Sequence, residues 1–362
     1  KLHKEAVIID THGDILHDQI KTGADLGKRQ SNGHFDLVRA KEGGLDVQVF
    51  AVWSDETGNF AMANRQIDSL TALIARNPGR MKLVKDAASL QKAVSEGALA
   101  AMIGVEGGHM IDEDLNKLEA LAKRGMAYLT LTWNNSTSWA SSAADETAGK
   151  IALPGLNDFG RKVIYKLNDL GVLVDLSHVG EKTFYDALAA TKRPVLVSHS
   201  SVHAIAPVPR NLKDEQIRAI GKNGGVISLN FYSGFIDPAY AKRQKDFFAK
   251  YAEELRALTS QFDRNRAIDT LMSRHPSEAE SIRPSLSLLI DHVDHIVKLI
   301  GTDHVGIGAD FDGAESFPQG LNSVADFPKI TGALIERGYS DADITKILGG
   351  NFIRLLKANK GR

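Results

Sequence analysis

The feature that most constrains the fold is a rhythm of short apolar, β-branched runs separated by amphipathic stretches. The eight runs read "AVIIDTHGD", "LDVQVFAVWS", "LAAMIGVEGG", "MAYLTLTWNN", "GVLVDLSHVG", "RPVLVSHSS", "GGVISLNFY" and "HVGIGADFDG". The segments between them, such as "EDLNKLEALAKRG", carry apolar residues at three- and four-residue spacing and often end at glycine. Strands that alternate with helices in this way predict an α/β fold, a closed parallel (β/α)8 barrel of the TIM type. An open doubly wound sheet is the competing architecture.

The length of 362 residues suits one such barrel, so residues 1–362 are predicted to form a single domain. One segment breaks the rhythm. Residues 235–290 are highly charged and largely helical, and they form an insertion between strands seven and eight. The insertion follows the C-terminal end of a strand, on the face where barrel active sites lie. It could be a lid, a subunit contact that would make the protein a homodimer, or a solvated decoration.

Composition and charge exclude several classes of function. The formal net charge is −1, with 44 basic and 45 acidic side chains, so no basic field is available for nucleic acid. The sequence contains no run of about 18 apolar residues, which is the length needed to span a membrane. The chain starts at Lys1 rather than Met, which suggests a removed leader or a trimmed chain. We therefore expect a soluble protein, exported or periplasmic rather than cytoplasmic.

Ionisable residues cluster where the apolar runs end. They are His12, Asp14, Glu106, His178, His199 and Asp310. Each alone has an ordinary explanation, as a hydrogen-bonded histidine, a helix cap or a turn residue. Together they would share the rim at the C-terminal ends of the strands, where a charge is costly unless it is paired or coordinated. Because the chain has no cysteine, three histidines with Asp and Glu suit zinc or a similar metal.

The number of candidate ligands favours two metal ions over one. A single tetrahedral zinc that keeps an open position needs only three protein ligands. Two residues apart on a strand, His12 and Asp14 would face the same way, roughly 6.6 Å apart. A carboxylate can bridge two ions through its two oxygens, and Glu106 is the only glutamate in the set. A water held between the ions would be acidified to hydroxide.

The order of several motifs is more specific than any one of them. They are "IDTHGD", "IGVEGG", "YLTLTWNNSTSWA", "VDLSHVG", "VLVSHSS", "PRNL", "GGVISLNFY", "VGIGADFDG" and "ILGGNFIRLL". In this order and spacing the chain resembles the membrane (renal) dipeptidase family, the M19 peptidases, within the amidohydrolase-like metal-dependent barrels. The resemblance covers nearly the whole chain. It implies a binuclear zinc dipeptidase, with two Zn²⁺ per chain and a metal-bridging hydroxide that attacks a dipeptide.

The resemblance also implies a role for each matching residue. His12 and Asp14 would bind one zinc, His178 and His199 the other, and Glu106 would bridge the two and take part in catalysis. Asp310 would contact the substrate and handle a proton, and Arg210 of "PRNL" would pair with the substrate's C-terminal carboxylate.

One position departs from the family pattern. Many members carry a histidine after "LTLT", where this chain has Trp133. An indole can donate one hydrogen bond but cannot carry a charge or ligate zinc, so we predict that Trp133 is a wall of the substrate pocket. Asn134 and Asn135 could supply a donor there. Two alternatives stay open: a zinc amidohydrolase acting on N-acyl amino acids, lactams or lactones, and a non-catalytic barrel that binds peptides or metals.

Overall fold

The computed structural model describes residues 1–262 and 264–359. Nine strands are present in this part of the chain: β1 Ile9–Gly13, β2 Val47–Trp53, β3 Met81–Leu83, β4 Leu99–Glu106, β5 Met126–Thr130, β6 Leu173–Asp175, β7 Leu196–Ser200, β8 Val226–Leu229 and β9 Val305–Ile307. Eight of them lie within the eight predicted runs. The short β3 was not predicted, and it pairs with β4 outside the main strand order.

The eight main strands are parallel and follow the order β1-β2-β4-β5-β6-β7-β8-β9. The ring closes between β1 and the segment after β9, where Gly13 forms a parallel bridge with Phe311. The Asp14 N–H donates to Phe311 O at 2.9 Å, and the Asp310 N–H donates to His12 O at 3.1 Å. The predicted (β/α)8 barrel is confirmed, and the alternative open sheet is wrong.

Strand residues alternate between the barrel interior and the layer beneath the helices. Val47 and Val49 of β2 belong to the inner apolar cluster, whereas Phe50 and Val52 pack outward. A parallel sheet covered by helices is buried on both faces, so its strands are apolar at almost every position. The same alternation directs Trp53, at the end of β2, into the mouth of the barrel.

Helices cover the outside of the barrel and connect its strands. They are α1 Leu2–Glu5, α2 Ile15–Thr22, α3 Leu37–Glu42, α4 Phe60–Arg76, α5 Ala87–Ser95, α6 Leu115–Lys123, α7 Ala143–Thr147, α8 Asp158–Leu170, α9 Glu181–Ala190, α10 Asp214–Asn223, α11 Ser233–Ile236, α12 Tyr240–Lys250, α13 Ala252–Thr259, α14 Arg264–Arg274, α15 Pro276–Ile282, α16 Leu286–Ile300, α17 Phe327–Glu336, α18 Asp341–Thr345 and α19 Asn351–Ala358. Short 3₁₀ helices span Gly108–Ile111, Thr302–His304 and Val324–Asp326, and a π-helical turn spans Lys346–Gly350.

The helical insertion lies between β8 and β9, the seventh and eighth strands of the barrel, as predicted. Helices α12 to α15 form it, around a separate apolar cluster that includes Tyr240, Phe247 and Leu271. The predicted end at residue 290 falls inside α16, which packs against the main core. Residue 263 of the predicted insertion lies outside the described residues.

Two further predictions concern the chain as a whole. Within the described residues, no helix combines the length and apolar character needed to cross a membrane. The assignment of residues 1–362 to one domain stays a prediction, and residues 360–362 of that range lie outside the described residues.

Candidate metal centre

The mouth of the barrel brings the predicted ionisable residues together. Ligand atoms of His12, Glu106 and His199 all lie within 4.8 Å of one another, and so do those of His12, Asp14 and Asp310. Their side chains are buried or nearly buried. Five ionisable side chains spread over the sequence therefore share one small volume at the C-terminal ends of the strands.

Glu106, the last residue of β4, lies in the middle of this cluster. Its Oε1 is 2.8 Å from His178 Nε2 and 3.4 Å from His199 Nε2. Its Oε2 is 3.4 Å from His12 Nε2. On the far side of His12, the Asp14 Oδ2 lies 3.5 Å from the same nitrogen. The two oxygens of one carboxylate thus face two separate sets of donors.

Two cluster residues were predicted to lie at the ends of strands, but each follows its strand by a short loop. The β6 strand ends at Asp175 and β9 ends at Ile307, three residues before His178 and Asp310 respectively. His178 has φ +66° and Asp310 has φ +61°, a left-handed backbone that costs a non-glycine residue roughly 1–2 kcal/mol. Strain of this kind persists where surrounding contacts impose it, and it often marks a functional site.

The tautomer of His12 follows from the partners of its other nitrogen. Its Nδ1 lies 2.8 Å from the Tyr128 hydroxyl, which donates its own proton to Thr11 O at 3.0 Å. The hydroxyl must therefore accept from Nδ1–H, since its one proton is already used. The His12 Nδ1 therefore carries a proton, and its Nε2 faces the Glu106 and Asp14 carboxylates.

His199 and His178 are held in the same way. The His199 Nδ1 is 2.8 Å from Ser198 Oγ, which donates to Asp175 Oδ2 at 2.6 Å. The His178 Nδ1 lies 3.0 Å from the Asn134 Oδ1, so Asn134 acts as an acceptor here rather than as the donor considered from the sequence. The two Nε2 atoms lie 3.0 Å apart. Two lone pairs that face each other repel, unless a cation lies between or beside them.

The electrostatics of the cluster also require a positive charge. His12 Nε2 and Asp14 Oδ1 are buried and have no hydrogen-bond partner among the described residues. Burial and the Glu106 carboxylate raise the pKa of Asp14, and burial and the Asp14 carboxylate raise the pKa of Asp310 to about 8. Burial and the Arg210 cation lower the pKa of His178 to about 4. Asp14 and Asp310 thus resist ionisation and His178 resists protonation, which fits a site where a divalent metal takes the place of protons.

Arg210 lies next to the cluster. Its Nη1 and Nη2 donate to Ser200 Oγ and His199 O, each at 3.2 Å, and its guanidinium packs over the Phe235 ring. Burial lowers the pKa of Arg210 to about 10, so the group is still a cation at neutral pH. Its Nε is buried without a hydrogen-bond partner among the described residues. The guanidinium therefore has capacity to bind an anion.

Asp310 and Trp133 complete the mouth. Asp310 Oδ1 lies 3.9 Å from His12 Nε2, and its Oδ2 accepts from Asn230 Nδ2 at 2.9 Å. The Trp133 ring lies 6.5 Å from the His178 ring.

Four residues that orient this cluster were not predicted from the sequence. Tyr128, Ser198 and Asp175 orient the imidazoles, and Asp10 joins the two ends of the ring. The Asp10 Oδ1 accepts from the His12 N–H at 3.2 Å and from the Ala309 N–H at 2.9 Å. Polar residues within otherwise apolar strands were the available signal, but the sequence does not say which partners they meet.

The chain is similar to known proteins over its whole length. Residues 1–361 match the model of the membrane dipeptidase family, peptidase family M19. A Schizosaccharomyces pombe protein described as an uncharacterized dipeptidase, C965.12, is 32% identical over 378 residues, which cover 98% of this chain and 80% of that protein. The structure of the probable dipeptidase PvdM from Pseudomonas aeruginosa has 25% identity and a TM-score of 0.82, over 99% of this chain and 96% of that one. The metallopeptidase called dipeptidase AC has 25% identity and a TM-score of 0.79, over 99% of both chains.

Proposed function

This chain belongs to the membrane dipeptidase family of metallopeptidases, and from that premise we propose that it hydrolyses dipeptides at a centre that holds two zinc ions. The observation that supports two ions is the position of Glu106. One of its oxygens faces His178 and His199, and the other faces His12, with Asp14 beyond. A carboxylate between two donor sets is the arrangement expected of a bridging ligand.

The donor set supports zinc. Three imidazole nitrogens and two carboxylates, with no thiolate, suit a borderline divalent ion. His178, His199 and Glu106 would hold one ion, and His12, Asp14 and Glu106 the other, so that each keeps an open position. When bound, the zinc pair supplies an acidified water and Lewis-acid polarisation of the peptide carbonyl.

Asp310 is proposed to handle the proton that the reaction must move. Its Oδ1 faces the cluster, while Asn230 holds Oδ2. This orientation leaves one oxygen to hold a proton and to donate it to the leaving amine nitrogen. The hydrogen bond from Asn230 to Oδ2 keeps the carboxyl from rotating away during that transfer.

Arg210 is proposed to bind the C-terminal carboxylate and so to measure substrate length. In a dipeptide that carboxylate lies at a fixed distance from the scissile carbonyl, so both groups reach their sites together. A tripeptide cleaved at its first bond, or an amidated dipeptide, would present a neutral amide to a buried cation. Loss of a charge-assisted hydrogen bond of this kind costs roughly 1.5–3 kcal/mol, or about 10- to 150-fold in rate.

The test compares free dipeptides with C-terminally amidated dipeptides, tripeptides and N-acyl amino acids as substrates of the zinc-loaded protein. We expect kcat/KM to be highest for free dipeptides, and at least about 10-fold lower for their amides. Arg210→Ala should remove most of that difference, chiefly by impairing the free acid. Arg218→Ala, an exposed arginine on α10, is the matched control. Equal turnover of free and amidated dipeptides by the wild type would exclude Arg210 as the anchor, and faster turnover of N-acyl amino acids would favour the amidohydrolase alternative.

A further inference from the structure

The mouth of the barrel has two chemically different sides. Arg210 follows β7, and the Phe235 ring beneath its guanidinium follows β8. Trp53 ends β2 and Trp133 follows β5. In the ring order β1-β2-β4-β5-β6-β7-β8-β9, β2 lies four places from β7, directly across the barrel. Trp53 therefore lies across the mouth from Arg210, with the candidate metal centre between them, and Trp133 adjoins Trp53.

The aromatic side consists of two indoles in contact. The Trp53 and Trp133 ring centroids are 5.2 Å apart with the planes at 66°, an edge-to-face pair. Trp53 is the strand neighbour of Glu106, so it lies at the same level of the barrel as the candidate bridge. Both indoles are only partly buried. They thus present apolar surface beside the cluster.

Contacts from α4 and α2 hold Trp53, one member of this pair. The Gln66 side chain of α4 bonds to the Trp53 backbone. Its Oε1 accepts from the backbone N–H of Trp53 at 3.0 Å, and its Nε2 donates to the backbone carbonyl oxygen of Trp53. The His17 ring packs edge-to-face on Trp53 at 4.7 Å. The Trp53 Nε1 is buried with no hydrogen-bond partner among the described residues. A positioned wall with a spare donor is what a specificity subsite requires.

We propose that Trp53 and Trp133 form the subsite for the N-terminal residue of a dipeptide and select an aromatic or large apolar side chain there. The inference rests on the proposed function, because Arg210 sets the direction in which the dipeptide lies. With its carboxylate at Arg210 and its peptide carbonyl at the cluster, an extended dipeptide must direct its first residue toward the opposite side. There an aromatic side chain gains apolar and ring contacts, whereas an acidic one loses hydration and gains at most one hydrogen bond from a neutral indole N–H.

The test measures kcat/KM for two matched dipeptide series with the zinc-loaded enzyme. In X-Ala the first residue is Gly, Ala, Leu, Phe or Asp, and in Ala-X the second residue varies in the same way. We expect Phe-Ala and Leu-Ala to exceed Gly-Ala by roughly 10-fold or more, with Asp-Ala poorest and with a weaker trend in Ala-X. Trp133→Ala should lower the Phe-over-Gly ratio about tenfold. Trp133→Phe should retain most of it, and Tyr165→Ala, an exposed aromatic on α8, should leave it unchanged.

A second measurement does not depend on turnover or on the alanine variant folding well. Two of the three tryptophans flank the mouth, and the third, Trp139, is buried in the core. Titration with L-phenylalaninamide, which lacks the carboxylate that Arg210 would bind, should change the intrinsic fluorescence of the zinc-loaded wild type at roughly tenfold lower concentration than L-alaninamide, and Trp133→Phe should preserve the order.

Equal rates for Phe-Ala and Gly-Ala, or an aromatic preference confined to the second residue, would overturn the subsite while leaving the dipeptidase assignment in place. A protein that hydrolyses neither series overturns the proposed function instead. The fluorescence titration then decides the aromatic subsite alone, and equal responses to the amides of phenylalanine and alanine would reject it.

Discussion

Two regions of the molecule bury histidine side chains, and they use the imidazole in opposite ways. At the barrel mouth, His12, His178 and His199 each engage Nδ1 with an oxygen and direct Nε2 at the cluster. In α16, His292 has both nitrogens engaged with the backbone. Its Nδ1 accepts from the Val202 N–H at 3.0 Å, and its Nε2 donates to Ile236 O at 2.9 Å.

The difference shows how a buried histidine can be assigned to chemistry or to structure. A buried polar atom without a partner costs roughly 1–3 kcal/mol, so a protein that leaves several of them in one place needs a ligand there. His292 needs none, because the backbone satisfies both of its nitrogens. The histidines of both regions are buried, so burial does not distinguish them. The hydrogen-bond partner of each ring nitrogen does.

The largest effect should follow from removing the charge that links the two halves of the metal centre. Glu106→Gln keeps the size of the side chain but replaces one carboxylate oxygen with an amide nitrogen that cannot ligate, and it removes the negative charge. We expect zinc content to fall from about two ions per chain to less than one, with loss of measurable turnover. Elemental analysis of the purified protein measures the first effect. Asp310→Asn, at the neighbouring carboxyl, is the control, and it should retain both ions while kcat falls roughly 10²-fold. A fully active wild type that holds one ion would refute the bridge.

A smaller effect, on stability, should come from the structural histidine. Burial lowers the pKa of His292 from 6.5 to about 4, so the folded protein binds this proton less tightly than the unfolded chain does. Stability from this group is therefore present above pH 6.5 and lost as the pH falls to about 4, by roughly 3 kcal/mol in all. Denaturant unfolding of the wild type and His292→Gln from pH 7 to 4 measures it. The variant should lose less stability on acidification, and parallel curves would contradict the assignment.

The smallest effects should distinguish the two halves of the centre from each other. Tyr128→Phe removes the acceptor of His12 Nδ1, and Ser198→Ala removes that of His199 Nδ1. Each should weaken zinc binding roughly 10- to 100-fold in its own half and leave the other half near wild type. Competition with a chromophoric chelator should show two release steps, with one displaced in each variant. If both variants displaced the same step, the division into halves would be wrong.

Much of the fold could be predicted because its signals are local. Each apolar run is long enough for one strand, and each amphipathic stretch for one helix, so the number and order of elements followed from periodicity. The β3 strand was missed because its three residues are too short to show a period. The left-handed turns at His178 and Asp310 were not predicted, because a positive φ is expected from sequence mainly at glycine and neither residue is a glycine.

The sequence by itself determined that the chain forms a parallel barrel with imidazoles and carboxylates at one rim, since strand direction alone brings those residues to the same end. Only the tertiary structure decided which atoms meet. The Tyr128 hydroxyl that sets the His12 tautomer lies 116 residues away in the chain, and the facing of Trp53 and Arg210 across the mouth follows from ring order. Hydrogen bonds and side-chain packing act over a few ångströms in space, whereas sequence patterns report distances along the chain, so these pairings exist only once the barrel has closed.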